Sequence, residues 1–180
     1  GVAALILKRG LDLTPVLHGG GQEREIRSGT LNAPSIVAFT AAAEYAIANM
    51  ATNFKKIREL RDYFVTELKK CVTDVSINSI TDPALPGIVN ATFLGTESDA
   101  LLLLLDTEGI SASAGSACSA GVPRPSHVLV ALGLSESDAD ASLRISIGTT
   151  NTKAEIDQVL AILPSVVERA RNAFVVSELN

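Results

Sequence analysis

Pro34-Ser35-Ile36-Val37-Ala38-Phe39 opens a stretch in which apolar residues recur at helical spacing as far as Leu68. Ile36, Val37, Phe39, Ala43, Ala46, Ile47 and Met50 are followed by Phe54, Ile57, Leu60, Phe64, Val65 and Leu68. Residues spaced three and four apart line one side of a helix. Pro34 suits the first helical residue, where a backbone N–H would have no intrahelical partner. The pattern predicts one long helix running to about Lys70, or two joined near Ala51-Thr52. A helix of that length suggests a bridge between a large domain and a small one.

Upstream, Val2 to Lys8 is a short, nearly continuous apolar run, which reads as a strand covered on both faces. The chain starts inside this run with neither an initiator Met nor a signal-peptide pattern, so it reads as the C-terminal portion of a longer protein. His18-Gly19-Gly20-Gly21-Gln22-Glu23-Arg24-Glu25-Ile26-Arg27-Ser28-Gly29-Thr30 follows, polar and glycine-rich. Glycines let backbone N–H groups approach an anion, and Arg27, Ser28 and Thr30 can hydrogen-bond phosphate oxygens. An ordinary connection between strand and helix fits the same composition.

Downstream, Val72 to Ile77 and Ile88 to Leu94 read as strands, separated by breakers that include Pro83, Pro86 and Gly87. Thr96-Glu97-Ser98-Asp99 has capping-box spacing ahead of a buried helix over Ala100 to Leu105, which Gly109 ends. Val128 to Leu132 predicts a short helix ending at Gly133, and Ser135-Glu136-Ser137-Asp138 starts another turn or helix. Ser142 to Ile147 alternates like a half-buried strand. Thr152-Lys153-Ala154-Glu155 repeats the capping box, opening a helix that runs to about Arg171 past Pro164.

Bulk properties narrow the function classes. The 180 residues are 47% hydrophobic and 19% charged, enough for a packed core. Net charge is −5 and no Lys/Arg stripe forms, which argues against nucleic acid. No apolar run approaches the roughly 18 residues that span a bilayer. The only cysteines, Cys71 and Cys118, are far apart, as expected in a reducing cytoplasm.

Ser113-Ala114-Gly115-Ser116-Ala117-Cys118-Ser119-Ala120-Gly121 has no side chain larger than a thiol or hydroxyl. It reads as an exposed, mobile loop with little helix or strand preference. Two readings stay open for Cys118: a small residue in a turn, or a thiolate nucleophile on a flexible arm. Cys71, at a charged helix end, reads as structural. A serine hydrolase is excluded, since after Ser119 the only histidine is His127 with no acid between them. His18, Cys71, Cys118 and His127 lack zinc-ligand spacing, and His127 reads as capping or packing at a helix start. Arg144, in Leu143-Arg144-Ile145-Ser146-Ile147, is a charge rooted among apolar residues. It either binds a carboxylate or phosphate or holds its head in solvent.

Taken together these segments resemble the C-terminal half of the NifS/IscS-type cysteine desulfurases, pyridoxal-phosphate enzymes of the fold-type I aminotransferase superfamily. The family's H-G-G-G-x-E-R-x-x-R-S-G-T segment is matched by His18 to Thr30. Its S-G-S-A-C loop is matched by Ala114 to Cys118, with Ala for the first Ser, and its R-x-S-x-G strand by Arg144 to Gly148. The implied fold is α/β: the small domain of such an enzyme over 71–180, a bridging helix over 34–70, and an incomplete tail of the large cofactor-binding domain over 1–33.

The resemblance implies roles for single residues. Cys118 would be the nucleophile that attacks the sulfur of cofactor-bound L-cysteine, leaving alanine and a Cys118 persulfide. It would then pass the sulfur to an acceptor or scaffold protein for iron–sulfur cluster or thio-cofactor assembly, and could ligate iron–sulfur transiently. No resident metal is implied. Arg144 would hold the substrate carboxylate, and Thr30 would reach the cofactor phosphate of the partner subunit in a homodimer. Two departures stand out. Gln22 replaces the family's usual His, with no consequence attached to the exchange, and no Arg follows Gly148. The Schiff-base lysine finds no match, so the chain alone is expected to be catalytically silent. A selenocysteine lyase, an aminotransferase-like enzyme and a non-enzymatic sulfur-carrier or interaction domain are the alternatives.

Overall fold

A computed structural model describes residues 1–79, 84–115 and 125–178, with side chains described as far as residue 174. The chain divides into two compact units, Gly1–Ala51 and Thr52–Asn180. Helix α1 (Ala33–Cys71) belongs to both. It is a single helix and starts one residue before Pro34. Asn32 caps it by accepting the Ser35 N–H at 3.2 Å, which makes Ala33 rather than Pro34 the first helical residue.

In the first unit, Val2 to Lys8 forms no strand, contrary to the expectation from its apolar run. A strand covered on both faces needs neighbours for its ladder, and none of the described residues pairs with it. Ile6 accordingly keeps 95% of its surface. The glycine-rich segment folds as successive turns, fixed by an isolated parallel bridge between Leu17 and Arg27.

The second unit is built on an antiparallel sheet of β1 (Val75–Ile77), β2 (Ile88–Phe93), β3 (Ser113–Ala114) and β4 (Ser142–Ser146), in the order β1-β2-β4-β3. Val89, Ala91 and Phe93 alternate along β2 and are fully buried, as is Leu143 on β4. Against them pack Phe64 and Leu68 of α1, Leu101 and Leu105 of α2 (Ser98–Thr107), and Leu163, Val166 and Val167 of α5 (Lys153–Glu178). Each such side chain stabilises the unit by roughly 1.5–3 kcal/mol. Two short helices, α3 (His127–Ala131) and α4 (Glu136–Asp140), lead into β4.

Local chemistry explains the boundaries. The Thr152–Glu155 capping box forms as the sequence predicts: Glu155 Oε2 accepts the Thr152 N–H at 2.8 Å and Thr152 Oγ1 accepts the Glu155 N–H at 3.3 Å. The box expected at Thr96 does not form. Thr96 Oγ1 instead donates to the Phe93 carbonyl at 2.7 Å, and the N-cap position falls to Glu97 without a side-chain cap. At Ser135 the cap is realised, accepting the Asp138 N–H at 3.1 Å. Ser126 precedes α3 without a capping bond, and His127 is the first residue of that helix. Arg171 ties α5 to the sheet ends by donating to the carbonyls of Thr73 (2.8 Å) and Leu94 (2.9 Å). Gly87 lies so close to β4 that an added Cβ would run into the Ile147 carbonyl oxygen.

Candidate active site

Arg144 lies on the sheet face opposite the core, because its neighbours Leu143 and Ile145 take the inward positions of β4. The sheet register sets Asn90 of β2 on one side of it and Ser113 of β3 on the other. Its guanidinium is exposed and forms no hydrogen bond or ion pair among the described residues. That exposure fits either of the two readings left open by the sequence.

The face that carries Arg144 is polar and tightly wired. Asn78 Nδ2 donates to Asn90 Oδ1 at 2.6 Å and to Thr92 Oγ1 at 2.8 Å. Thr92 and Ser142 hydroxyls lie 2.7 Å apart, and Ser142 Oγ donates to the Asp138 carbonyl at 2.6 Å. With the Ser142 proton used on Asp138, Thr92 donates to Ser142, and the chain of bonds runs in one direction. Buried hydroxyls satisfied in this way hold β2 and β4 in fixed register. The sequence signal was the alternation Ile88-Val89-Asn90-Ala91-Thr92, whose polar members share one face; motif reading passed over it.

β3 was not expected. The first two residues of the small-residue segment, Ser113 and Ala114, pair with Arg144 and Leu143 rather than lying free in a loop. Propensity gave no warning, because the pairing comes from the edge of β4 and not from the side chains of β3. Gly115, which follows, has φ +44°, in the left-handed region that favours glycine. Cys118 lies outside the described residues, three positions after Gly115 in sequence. Cys71 is an exposed free thiol whose Sγ donates to the Leu68 carbonyl at 3.6 Å. Partial burial, with Glu67 adding to it, pushes its pKa up. That favours the thiol over the nucleophilic thiolate.

In the first unit the glycine-rich segment is held as a closed loop. Glu23, Arg24 and Glu25 are consecutive residues in the left-handed region, with φ 51°, 57° and 64°, at a cost of roughly 1–2 kcal/mol each. Two crossed bonds close the loop: Gln22 Oε1 accepts the Gly29 N–H at 2.9 Å, and Ser28 Oγ accepts the Gly21 N–H at 3.4 Å. Thr30 follows directly and is exposed, with no hydrogen bond among the described residues. Arg27, also exposed, donates from Nη1 to the Ser28 carbonyl at 3.4 Å. The sequence reading missed the role of Gln22.

A groove of about 300 Å³ opens in the second unit. It is lined by Ile110, Ser111, Ile147, Asn151 and Val159 among others. Its walls include Ile145 and Ile147, which alternate with Arg144 along the chain, so it is not the pocket around that arginine. Among the described residues no cluster of His, Cys, Asp and Glu could hold a metal, and no helix is long and apolar enough to cross a membrane.

A small antiparallel sheet with packed helices is the α/β architecture of a fold-type I enzyme's C-terminal region. The family model for class-V aminotransferases matches residues 1–159, and the chain belongs to that family. It is 47% identical over 174 residues to an IscS-like cysteine desulfurase from Mycobacterium tuberculosis, covering 96% of this chain and 44% of that protein. Among solved structures, a NifS-like protein from Rickettsia africae superposes with a TM-score of 0.76 at 32% identity, over 88% of this chain and 41% of that one. SspA in complex with cysteine matches with a TM-score of 0.51 at 33% identity, over 80% of this chain and 38% of that one. The chain therefore spans less than half the length of the proteins it resembles.

Proposed function

We propose that this chain is the substrate-anchoring and sulfur-accepting part of a cysteine desulfurase that converts L-cysteine to L-alanine. The observation that carries the reading is the pairing of Ser113 with Arg144. Ser113, five residues before Cys118 in sequence, pairs with the residue read as the substrate's carboxylate anchor, which supports the two acting at one site.

Pyridoxal phosphate, when bound, supplies the electron sink that makes the substrate's C–S bond breakable. Thr30 and Arg27 suit the cofactor's phosphate: an unengaged hydroxyl and a guanidinium three residues apart are the donors that an oxyanion takes up. We assign Thr30 to the phosphate held with the partner subunit of a homodimer. Arg144 binds the substrate carboxylate by two parallel N–H···O bonds and fixes the direction of the side-chain sulfur. The Cys118 thiolate attacks that sulfur; a new S–S bond forms as the C–S bond breaks. The carbon skeleton keeps the electron pair, gains a proton and leaves as alanine, while Cys118 keeps the sulfane sulfur as a persulfide. An acceptor or scaffold protein in the cytoplasm then takes that sulfur. In this reading residues 1–33 are the tail of a large cofactor-binding domain, 34–70 the bridge and 71–180 the small domain. The Schiff-base lysine comes from outside these 180 residues.

The test is an assay of the full-length protein with pyridoxal phosphate, L-cysteine and a reductant. Alanine and sulfide form in equal amounts, and Cys118→Ala abolishes both. Arg144→Ala raises KM for cysteine by about tenfold to a hundredfold, the value of a charged hydrogen-bonded pair. Full turnover by Cys118→Ala would refute the assignment of the nucleophile.

A further inference from the structure

We propose that Gln22 is a positioning residue for the cofactor phosphate, acting through the Gly29 amide on Thr30. The inference rests on the reading of Thr30 given above and goes beyond it by naming what holds Thr30 in place. Gln22 Oε1 accepts the Gly29 N–H at 2.9 Å, and Gly29 is the residue covalently joined to Thr30. Gly29 has φ +117°, a conformation open to glycine and to little else. The Gln22 bond anchors the Ser28–Gly29 peptide, the plane from which the Gly29 φ and ψ angles set out towards Thr30, and so limits where that glycine can place Thr30.

The second closing bond, from the Gly21 N–H to Ser28 Oγ, is longer at 3.4 Å, as is the Ser28 N–H to the Leu17 carbonyl at 3.4 Å. Between the two ends, Glu23, Arg24 and Glu25 stay left-handed, a run that needs both ends tied. Of the side-chain bonds that close this loop, the one from Gln22 is the shorter and the one nearer Thr30. An uncharged amide also suits the place. It accepts a backbone proton without setting a carboxylate beside a phosphate dianion.

The experiment uses the full-length apoprotein, titrated with pyridoxal phosphate and separately with pyridoxal, following cofactor absorbance. Gln22→Met, of similar length but without the acceptor, is expected to weaken pyridoxal phosphate by about tenfold, the worth of one hydrogen bond. Pyridoxal binding stays unchanged. Thr30→Ala gives the same phosphate-selective loss, and the double variant is no worse than the weaker-binding single, because the two act in series. If Thr30→Ala shows no selective loss, the reading of Thr30 fails and this inference falls with it. If Thr30→Ala is selective but Gln22→Met is silent, weakens both ligands equally, or adds in full to Thr30→Ala, the inference alone is overturned. Should Gln22→Met fail to fold, Gln22→His, whose ring nitrogen can accept the same amide proton, is expected to keep wild-type affinity. A tenfold loss there also overturns the inference.

Discussion

Phe64 and Phe39 sit on the same helix, yet Phe64 has no exposed surface while Phe39 keeps 43% of its own. The apolar spacing that predicts α1 is equally good around both. What differs is cover. The second unit brings the sheet, α2 and α5 onto the C-terminal half of α1, whereas in the first unit Ser28 is the only buried residue among those described. Val37, Tyr45, Ile47 and Met50 remain in water alongside Phe39. Periodicity thus predicts that a helix forms, not that its own chain supplies the surface it packs on.

The largest expected effect breaks or upholds this contrast directly. Phe64→Ala should cost about 3–5 kcal/mol in urea unfolding of the 180-residue chain, the usual loss for a buried Phe. Phe39→Ala should cost less than about 1 kcal/mol in the same chain, as for a surface substitution. Equal losses at the two sites would end the distinction between the units. Gly87→Ala comes next, at about 1–3 kcal/mol, because its Cβ collides with the Ile147 backbone carbonyl just past β4 and crowds the Ile57 side chain. Thermal melts should resolve it, and an unchanged melting temperature would mean that β2 and β4 tolerate a wider spacing. Thr152→Ala should remove about 1 kcal/mol by deleting the α5 cap.

The smallest effect is one of pH. Bonds from the Thr152 backbone N–H, then from Asn151 and the Thr152 hydroxyl, hold the Glu155 carboxyl below its ordinary 4.5. A carboxyl depressed in the folded state contributes stability that is present above its unfolded value and is lost as pH falls through the folded one. The melting temperature should therefore decline below about pH 4.5, and Glu155→Gln should flatten part of that decline. A parallel decline in both proteins would remove Glu155 from the account.

Legibility in the sequence followed how local the cause was. The Thr152–Glu155 box and the Ser135 cap are complete within four residues, and both form as read. The same spacing at Thr96 failed, because the turn at Gly95 (φ +76°) brings the Phe93 carbonyl within reach of the Thr96 hydroxyl first. β3 could not be read at all. Ser113 and Ala114 have no strand preference and are extended only because β4 offers an edge. Val2 to Lys8 failed in the opposite sense, with strand composition and no strand partner among the described residues. At the candidate site, Arg144 was legible as a charge out of place. The Asn78-Asn90-Thr92-Ser142 network beside it depends on register, and the bond from Gln22 depends on a loop closure seven residues long. Alternation along β2 puts Asn90 and Thr92 on one face, but neither their partners there nor the Gln22 bond can be read from spacing alone.

The central claim is that Cys118, and not Cys71, receives the substrate's sulfur. Mass spectrometry of the full-length protein, loaded with pyridoxal phosphate and briefly exposed to L-cysteine without reductant, tests it most directly. The account predicts one extra sulfur atom on the peptide carrying Cys118 and none on the peptide carrying Cys71. Alanine formation with Cys118 unmodified, or with the sulfur on Cys71, would contradict it.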